Sequence, residues 1–245
     1  MSSKYLSVST VATGDTEFHV YWETEQVSGR LDVTVQLPIE DKNIAAELWA
    51  LRHLLLTAEV TGINRTGDNL AINVSHGAIR KLLMKRSSKK HLIRFTSWMT
   101  VRFRDAKVTA PKRKLDIASI EEALSEPGKL VINAESNPDD ITVSPVIGQV
   151  KITQHAISRY IERTGVSSAS RAWRSVLQLV KSDRLHDAAL PATVELRKKQ
   201  KHQENARIMN AMNNWQLVFT PADESSDEPW VLVTVYQRPG SNRAA

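Results

Sequence analysis

The chain contains no cysteine among its 245 residues, which excludes a disulfide scaffold, a thiolate zinc site and a cysteine nucleophile. It also lacks an uninterrupted apolar run long enough to span a bilayer, and its opening MSSKYLSVSTV has neither the charged start nor the apolar run and cleavage site of a signal peptide. Internal repeats and long low-complexity segments are absent too. The expectation is a soluble, cytoplasmic protein. What is present is positive charge: the formal net charge is +6, which favours a polyanionic partner, and its distribution matters more than its total. With 41% hydrophobic residues the chain can bury one large core or two small ones, and two domains are expected.

The first half opens on strands. Lys4–Thr13 alternates polar and apolar residues, Phe18–Glu25 carries Phe18, Val20 and Trp22, and Leu31–Leu37 is apolar at strict period two. Turn signals at Gly14-Asp15 and Ser28-Gly29 separate them, so an antiparallel meander is expected. The period then changes: NIAAELWALRHLLLTAE places Leu48, Leu51, Leu55 and Ala58 at helical spacing, with Asp41 as a cap. A fourth strand over Asn69–Val74 and a second helix over Gly77–Met84 follow.

Three antiparallel strands, a helix, a strand and a helix, together with AELWAL, resemble a ribonuclease H-like domain over roughly residues 4–118. The resemblance implies acidic residues that hold two divalent metals. Glu47 matches the helix glutamate and Asp116 the acid at the start of the last helix, but the first strand has Ser9 and Thr10, and the fourth ends Asn73-Val74-Ser75, where aspartates are implied. The domain is therefore read as a degenerate form without metal or other cofactor. Glu47 is read as a surface or half-buried helix acid, and Asp15 and Asp68 as turn formers.

Between Lys85 and Lys114 lie eleven cations, Lys85, Arg86, Lys89, Lys90, Arg94, Arg102, Arg104, Lys107, Lys112, Arg113 and Lys114, against one acid, Asp105. The charges are read as a phosphate-binding surface. Phe95, Trp98 and Phe103, interleaved with them, are either core or a base-stacking platform, and core is preferred. Asp116–Asp140 then reverses sign, with seven acids and one lysine, and is read as a short helix, DIASIEEAL, followed by an acidic connector with a strand-like patch at Leu130–Ile132. This sets domains at 1–118 and 149–245, joined by 119–148.

In the second half, ITQHAISRYIERTG places His155, Arg159 and Arg163 on one helical stripe, which is either phosphate-facing or an ordinary solvated face. Gly165-Val166-Ser167 breaks the pattern, a second helix spans Ser168–Lys181, and strands are expected at Thr193–Leu196, Ile208–Ala211, Trp215–Thr220 and Trp230–Gln237. Two helices leading into an antiparallel sheet make an α+β domain.

HAISRYIERTG with a closing VLVTVYQR resembles the HA-x-x-R-x-x-x-R domains of toxins and phage-encoded proteins, within the broad barnase, EndoU, colicin ribonuclease and RelE superfamily. The resemblance implies metal-independent RNA cleavage, in some members on the ribosome. It would make His155 the acid/base, Arg159 and Arg163 the phosphate clamp, and Thr234 and Tyr236 polar groups facing the same site. Arg197, Lys198, Lys199, Lys201, His202 and Arg207 form a second basic patch, read either as a grip on the RNA backbone, with His202 as a further catalytic group, or as an exposed basic loop that does neither. The leading expectation is an RNA-binding protein of phage or mobile-element type engaging ribosomal RNA or the ribosome. The alternatives are an active endoribonuclease and a DNA-binding regulator.

Overall fold

In a computed structural model the chain separates into two compact units, Met1–Asp139 and Asp140–Ala245. The structure describes residues 4–111, 115–202, 205–222 and 228–237. It is an α+β protein whose two units each carry a mixed six-stranded sheet.

In the first unit β1 (Lys4–Ala12), β2 (Glu17–Glu23) and β3 (Ser28–Val35) form the antiparallel meander, with Val8 opposite Trp22 and Val20 opposite Leu31. Period-two alternation splits this sheet into two unlike faces. Leu6, Val8, Phe18, Val20, Leu31 and Val33 are buried on one face, under α1 (Lys42–Arg52). The helix is buried through Ile44, Leu48 and Leu51 and runs on as a π-helical turn, His53–Thr57, that brings Leu54 and Leu55 into the same core. Each fully buried leucine contributes about 1.5–3 kcal/mol.

β4 (Leu70–Asn73) pairs parallel with β1, and β5 (Lys107–Thr109) parallel with β4. Between them lie α2 (Gly77–Leu83), a 3-10 segment over Lys90–Thr96 and α3 (Ser97–Arg102). A Cβ on Gly67 would stand 2.5 Å from the Ala106 backbone nitrogen, so only glycine lets the chain entering β4 pass there.

α4 (Ile117–Ala123) and β6 (Gly128–Ile132) follow, and β6 pairs parallel with β3, giving the order β5-β4-β1-β2-β3-β6. The stretch 119–148, expected as a connector, thus supplies a strand to the first sheet, with Ile132 buried in the core beside Val35. Gly128 lies against Leu31, where a Cβ would stand 2.7 Å from its Cδ2. Pro127-Gly128, a turn signal by composition, therefore leads directly into a strand.

In the second unit β7 (Ile141–Ser144) and β8 (Gly148–Ile152) form a hairpin, followed by α5 (Gln154–Thr164) and α6 (Ala169–Val180). Thr153 and Ser168 cap the two helices, accepting from Ala156 N at 3.1 Å and Arg171 N at 3.2 Å. Gly165 closes α5 in the left-handed region at φ 68°. β9 (His186–Asp187), α7 (Ala192–His202), β10 (Arg207–Ala211), β11 (Trp215–Thr220) and β12 (Trp230–Gln237) complete the unit in the order β7-β8-β12-β11-β10-β9. The pairing is antiparallel except between β8 and β12, which run parallel because α5 and α6 intervene.

The strand expected at Thr193–Leu196 is instead helical, within α7. Pro191 precedes this helix and accepts from Val194 and Glu195, and the following LRKKQK is made of good helix formers.

Candidate nucleic-acid interface and polar cleft

At one end of the first sheet α1 places Glu47 in complete burial, contrary to the expectation of a surface or half-buried acid. Burial of a carboxylate demands donors, and the fold supplies them from three elements. Thr10 Oγ1 of β1 donates at 2.8 Å, and the Ser75 backbone N–H, just past β4, at 2.7 Å; the Ser75 hydroxyl donates as well. His76 Nδ1, at the start of α2, lies 2.7 Å from Oε2. Asn43 Nδ2 donates to His76 Nε2 at 2.9 Å, which leaves Nδ1 as the protonated nitrogen that donates to Glu47.

Thr10, Ser75 and His76 border an open cleft of about 820 Å³. Its floor is the sheet face turned away from α1, bearing Ser7, Ser9, Glu23 and Asn73, and Pro111, Leu115, Asp116 and Ile117 form a wall. Asn73 bridges neighbouring strands, donating to Ser7 Oγ at 2.9 Å and accepting from Thr109 Oγ1 at 2.7 Å.

The donor set does not fit the divalent pair implied by the ribonuclease H-like resemblance. Mg²⁺ needs hard oxygens with free lone pairs. The Glu47 carboxylate already accepts four protein hydrogen bonds, and Thr10 and Ser75, on either side, are neutral donors aimed at it. Asp116 caps α4, accepting from Ser119 N and Oγ at 3.3 and 2.9 Å, and these bonds draw its carboxyl below the usual range. Among the described residues no group of three or more His, Asp or Glu converges on a point.

Further across the same face, α4 is tied down by charge. Tyr21 OH donates to Glu121 Oε1 at 2.5 Å, and Arg30 Nη1 donates to both Glu121 oxygens at 2.7 and 3.0 Å. The tyrosine hydrogen bond and then the guanidinium hold the Glu121 carboxyl below its ordinary value, while burial and the same carboxylate raise the Tyr21 phenol. Arg30 also reaches Asp32 at 2.9 Å.

The basic stretch begins in the last turn of α2, with Arg80 and Lys81, and continues after it. Arg80, Lys81, Lys85, Arg86, Lys90, Arg94, Arg104 and Lys107 are exposed. Two of the expected phosphate contacts have structural tasks. Lys89 Nζ pairs with Asp41 Oδ1 at 2.6 Å, and Arg102 is buried, its Nε donating to the Arg65 carbonyl at 2.9 Å and its guanidinium lying over Phe103. Lys112, Arg113 and Lys114 lie outside the described residues. Phe95, Trp98 and Phe103 are core, no more than 2% exposed. Asp41, which holds Lys89 and stands 3.5 Å from His91 Nε2, is two residues before the Asn43 that holds His76. One turn of α1 therefore links the basic stretch to the cleft.

In the second unit His155 is exposed and makes no hydrogen bond or ion pair with a described residue. Arg159 Nη1 pairs with Glu162 at 2.6 Å. Arg163 turns onto the sheet, its Nε donating to the Val235 carbonyl at 3.1 Å and its guanidinium 5.1 Å from the centre of the half-buried Tyr236 ring. Thr234 is 2% exposed, within the sheet opposite Val218 of β11. Of the five residues grouped by sequence, the structure joins Arg163 to Tyr236, leaves His155 facing solvent and sinks Thr234. Arg197 and Lys201 are exposed on α7, a helix where a loop was expected; the side chains of Lys198, Lys199 and His202 lie outside the described residues.

His76 is the cleft residue that sequence reasoning passes over. Its only local sign is its place beside Ser75 before a helix, and its partner is 29 residues away. No family model matches the chain, and no curated protein or solved structure is significantly similar to it.

Proposed function

We propose that this chain is an RNA-binding protein whose first unit grips the sugar-phosphate backbone through the exposed cations between Arg80 and Lys107. The observation that carries the reading is how this stretch divides itself: its aromatic side chains are sunk in the core, while most of its lysines and arginines point to solvent with one acid, Asp105, between them. Cations held on packed helical segments neutralise phosphates at low entropic cost and release counterions. The strand order β3-β2-β1-β4-β5, with α1 over one face, supports a ribonuclease H-like ancestry. The four donors on Glu47 support a scaffold that holds RNA without a metal-dependent cut. Ribosomal RNA is the RNA class that the RelE-like resemblance of the second unit suggests.

The test is crosslinking in the cell of origin with the crosslinked positions mapped, paired with anisotropy titrations of purified protein. Enrichment of ribosomal RNA, with crosslinks between residues 80 and 107, is the expected result. Duplex DNA bound as tightly as RNA would reject the RNA reading, and crosslinks to other RNAs alone would reject the ribosomal one.

A further inference from the structure

We infer that the RNA taken by the first unit is a duplex, held by its backbone with no base stacked on the protein. This rests on the RNA-binding reading above and says which form of RNA the surface accepts.

Proteins that hold single strands pair a cationic groove with flat aromatic faces, because unstacked bases need a new partner for the stacking they have lost. The first unit has cations without such faces. Every Phe and Trp of the basic stretch is buried, and elsewhere in the first unit Tyr5, Trp22 and Trp49 are half-buried, Tyr5 bonded to Glu23 and Trp49 packed against Phe95. Those inside the basic stretch are committed elsewhere. Trp98 donates its indole N–H to the Phe95 carbonyl at 2.8 Å and meets Phe103 edge-on at 5.6 Å, so neither ring can swing outward without opening the core. Phe95 meets Trp49 edge-on at 6.4 Å, and the Arg94 guanidinium lies 4.9 Å from its centre, over the ring.

The exposed apolar side chains there, Met84 and Ile93, are aliphatic and offer no π face. His91 is the one flat exposed ring in the stretch, and its Nε2 is 3.5 Å from Asp41. The cleft does not replace the missing platform. Its floor is serine and asparagine, and Glu23 and Asp116 on its lining repel a phosphate chain.

What remains is a set of long cationic side chains mounted on a packed scaffold. Such a surface contacts phosphates and sugars, whose positions are regular in a duplex and variable in a single strand. A-form RNA presents its phosphates and 2′-hydroxyls along a wide shallow groove, so its stacked bases need not be disturbed. Recognition of this kind is indifferent to sequence.

The deciding experiment is anisotropy with the full chain at about 0.1 M salt, comparing a 20-base-pair RNA duplex with unstructured U20 and A20 strands, and then several unrelated duplexes. The expected result is affinity for duplex at least about tenfold above either strand, and values within about threefold among duplexes. A parallel titration of a 2-aminopurine-labelled duplex should show no change in base fluorescence, since no base leaves the stack. Equal or tighter binding to U20 or A20, or a spread above about tenfold among duplex sequences, would overturn the inference and leave RNA binding standing. No measurable binding to any RNA would overturn both.

Discussion

His76 Nδ1 lies 2.7 Å from Glu47 Oε2, joining the start of α2 to the middle of α1 at one end of the first sheet. The carboxylate that could have bound a cation instead gathers donors from β1, from Ser75 just past β4 and from His76 at the cap of α2. Glu47→Ala empties a fully buried site and takes from Thr10, Ser75 and His76, on the cleft border, the acceptor that ties three elements together, and is expected to cost about 2 kcal/mol of unfolding free energy. RNA affinity at low temperature, where the variant stays folded, should be nearly unchanged. Urea denaturation followed by tryptophan fluorescence, with a binding titration alongside, checks both halves. A variant as stable as the parent would show that the network holds nothing together.

Arg94 and Arg102 are neighbours in composition but not in role. Arg94→Ala removes an exposed cation together with its contact over Phe95, and is expected to cost no more than about 1 kcal/mol of stability while lowering the slope of log affinity against log salt by about 0.9 for duplex. Arg102→Ala empties a buried guanidinium site beneath Arg65, and should cost about 2 kcal/mol of stability with little change in salt slope. If the two variants behaved alike, the division of this segment into surface and support would be wrong.

His53 sits in the π-helical turn after α1, and burial, helped by the adjacent Arg52 charge, lowers its pKa below the ordinary imidazole value of about 6.5. The unfolded chain therefore takes up the proton first as pH falls. The contribution of His53 is fully present above the unfolded value and is lost as pH drops toward the folded one. Urea midpoints should decline as pH falls below about 7, and His53→Leu should flatten part of that decline. An unchanged slope in the variant would assign the loss to other groups.

These contrasts show how far the chain can be read from its sequence. The meander is legible because Phe18, Val20, Leu31, Val33 and Val35 alternate, and a sheet with one buried face imposes that period. α1 is legible for the same reason at period 3.6. β6 is legible only in part: the strand-like patch at Leu130–Ile132 is a strand, but GKLVI exposes Lys129 and Val131 and lies among acids, and its membership of the first sheet comes from pairing with β3, about 97 residues earlier, with Leu31 opposite Gly128. α7 hid behind Thr193 and Val194, two β-favouring residues in a helical run. Glu47 could be named from its helix, but its burial could not, because each partner outside α1 is at least 28 residues away. The division of the basic stretch into core and surface followed from size: rings that large are buried wherever a core can take them.

In the second unit Arg163 and His155 share a helix stripe but should separate in experiment. Arg163→Ala gives up the bond to the Val235 carbonyl and the contact with Tyr236, and is expected to destabilise the unit by about 1–2 kcal/mol. His155→Ala should leave stability within about 0.5 kcal/mol, since its ring faces solvent. The same His155 variant tests cleavage. Parent protein incubated with RNA in EDTA should leave the RNA intact if the unit only binds. Accumulation of 2′,3′-cyclic phosphate ends that vanish in His155→Ala would establish the endoribonuclease reading.

The boundary between the units can be tested by truncation. A fragment ending at residue 118 keeps β1–β5 but omits β6, which leaves the β3 edge unpaired and removes Ile132 from beside Val35. It also cuts α4 before Glu121, so Tyr21 and Arg30 lose the carboxylate that both of them hold. Losing a buried isoleucine costs about 2–5 kcal/mol, and an open apolar edge invites self-association. A fragment ending at residue 139 retains all three features. It should unfold in one cooperative urea transition and elute as a monomer, whereas the 118-residue fragment should unfold at much lower urea or aggregate. Matching midpoints for the two fragments would show that β6 is an ornament on the sheet and that the first unit is complete without it.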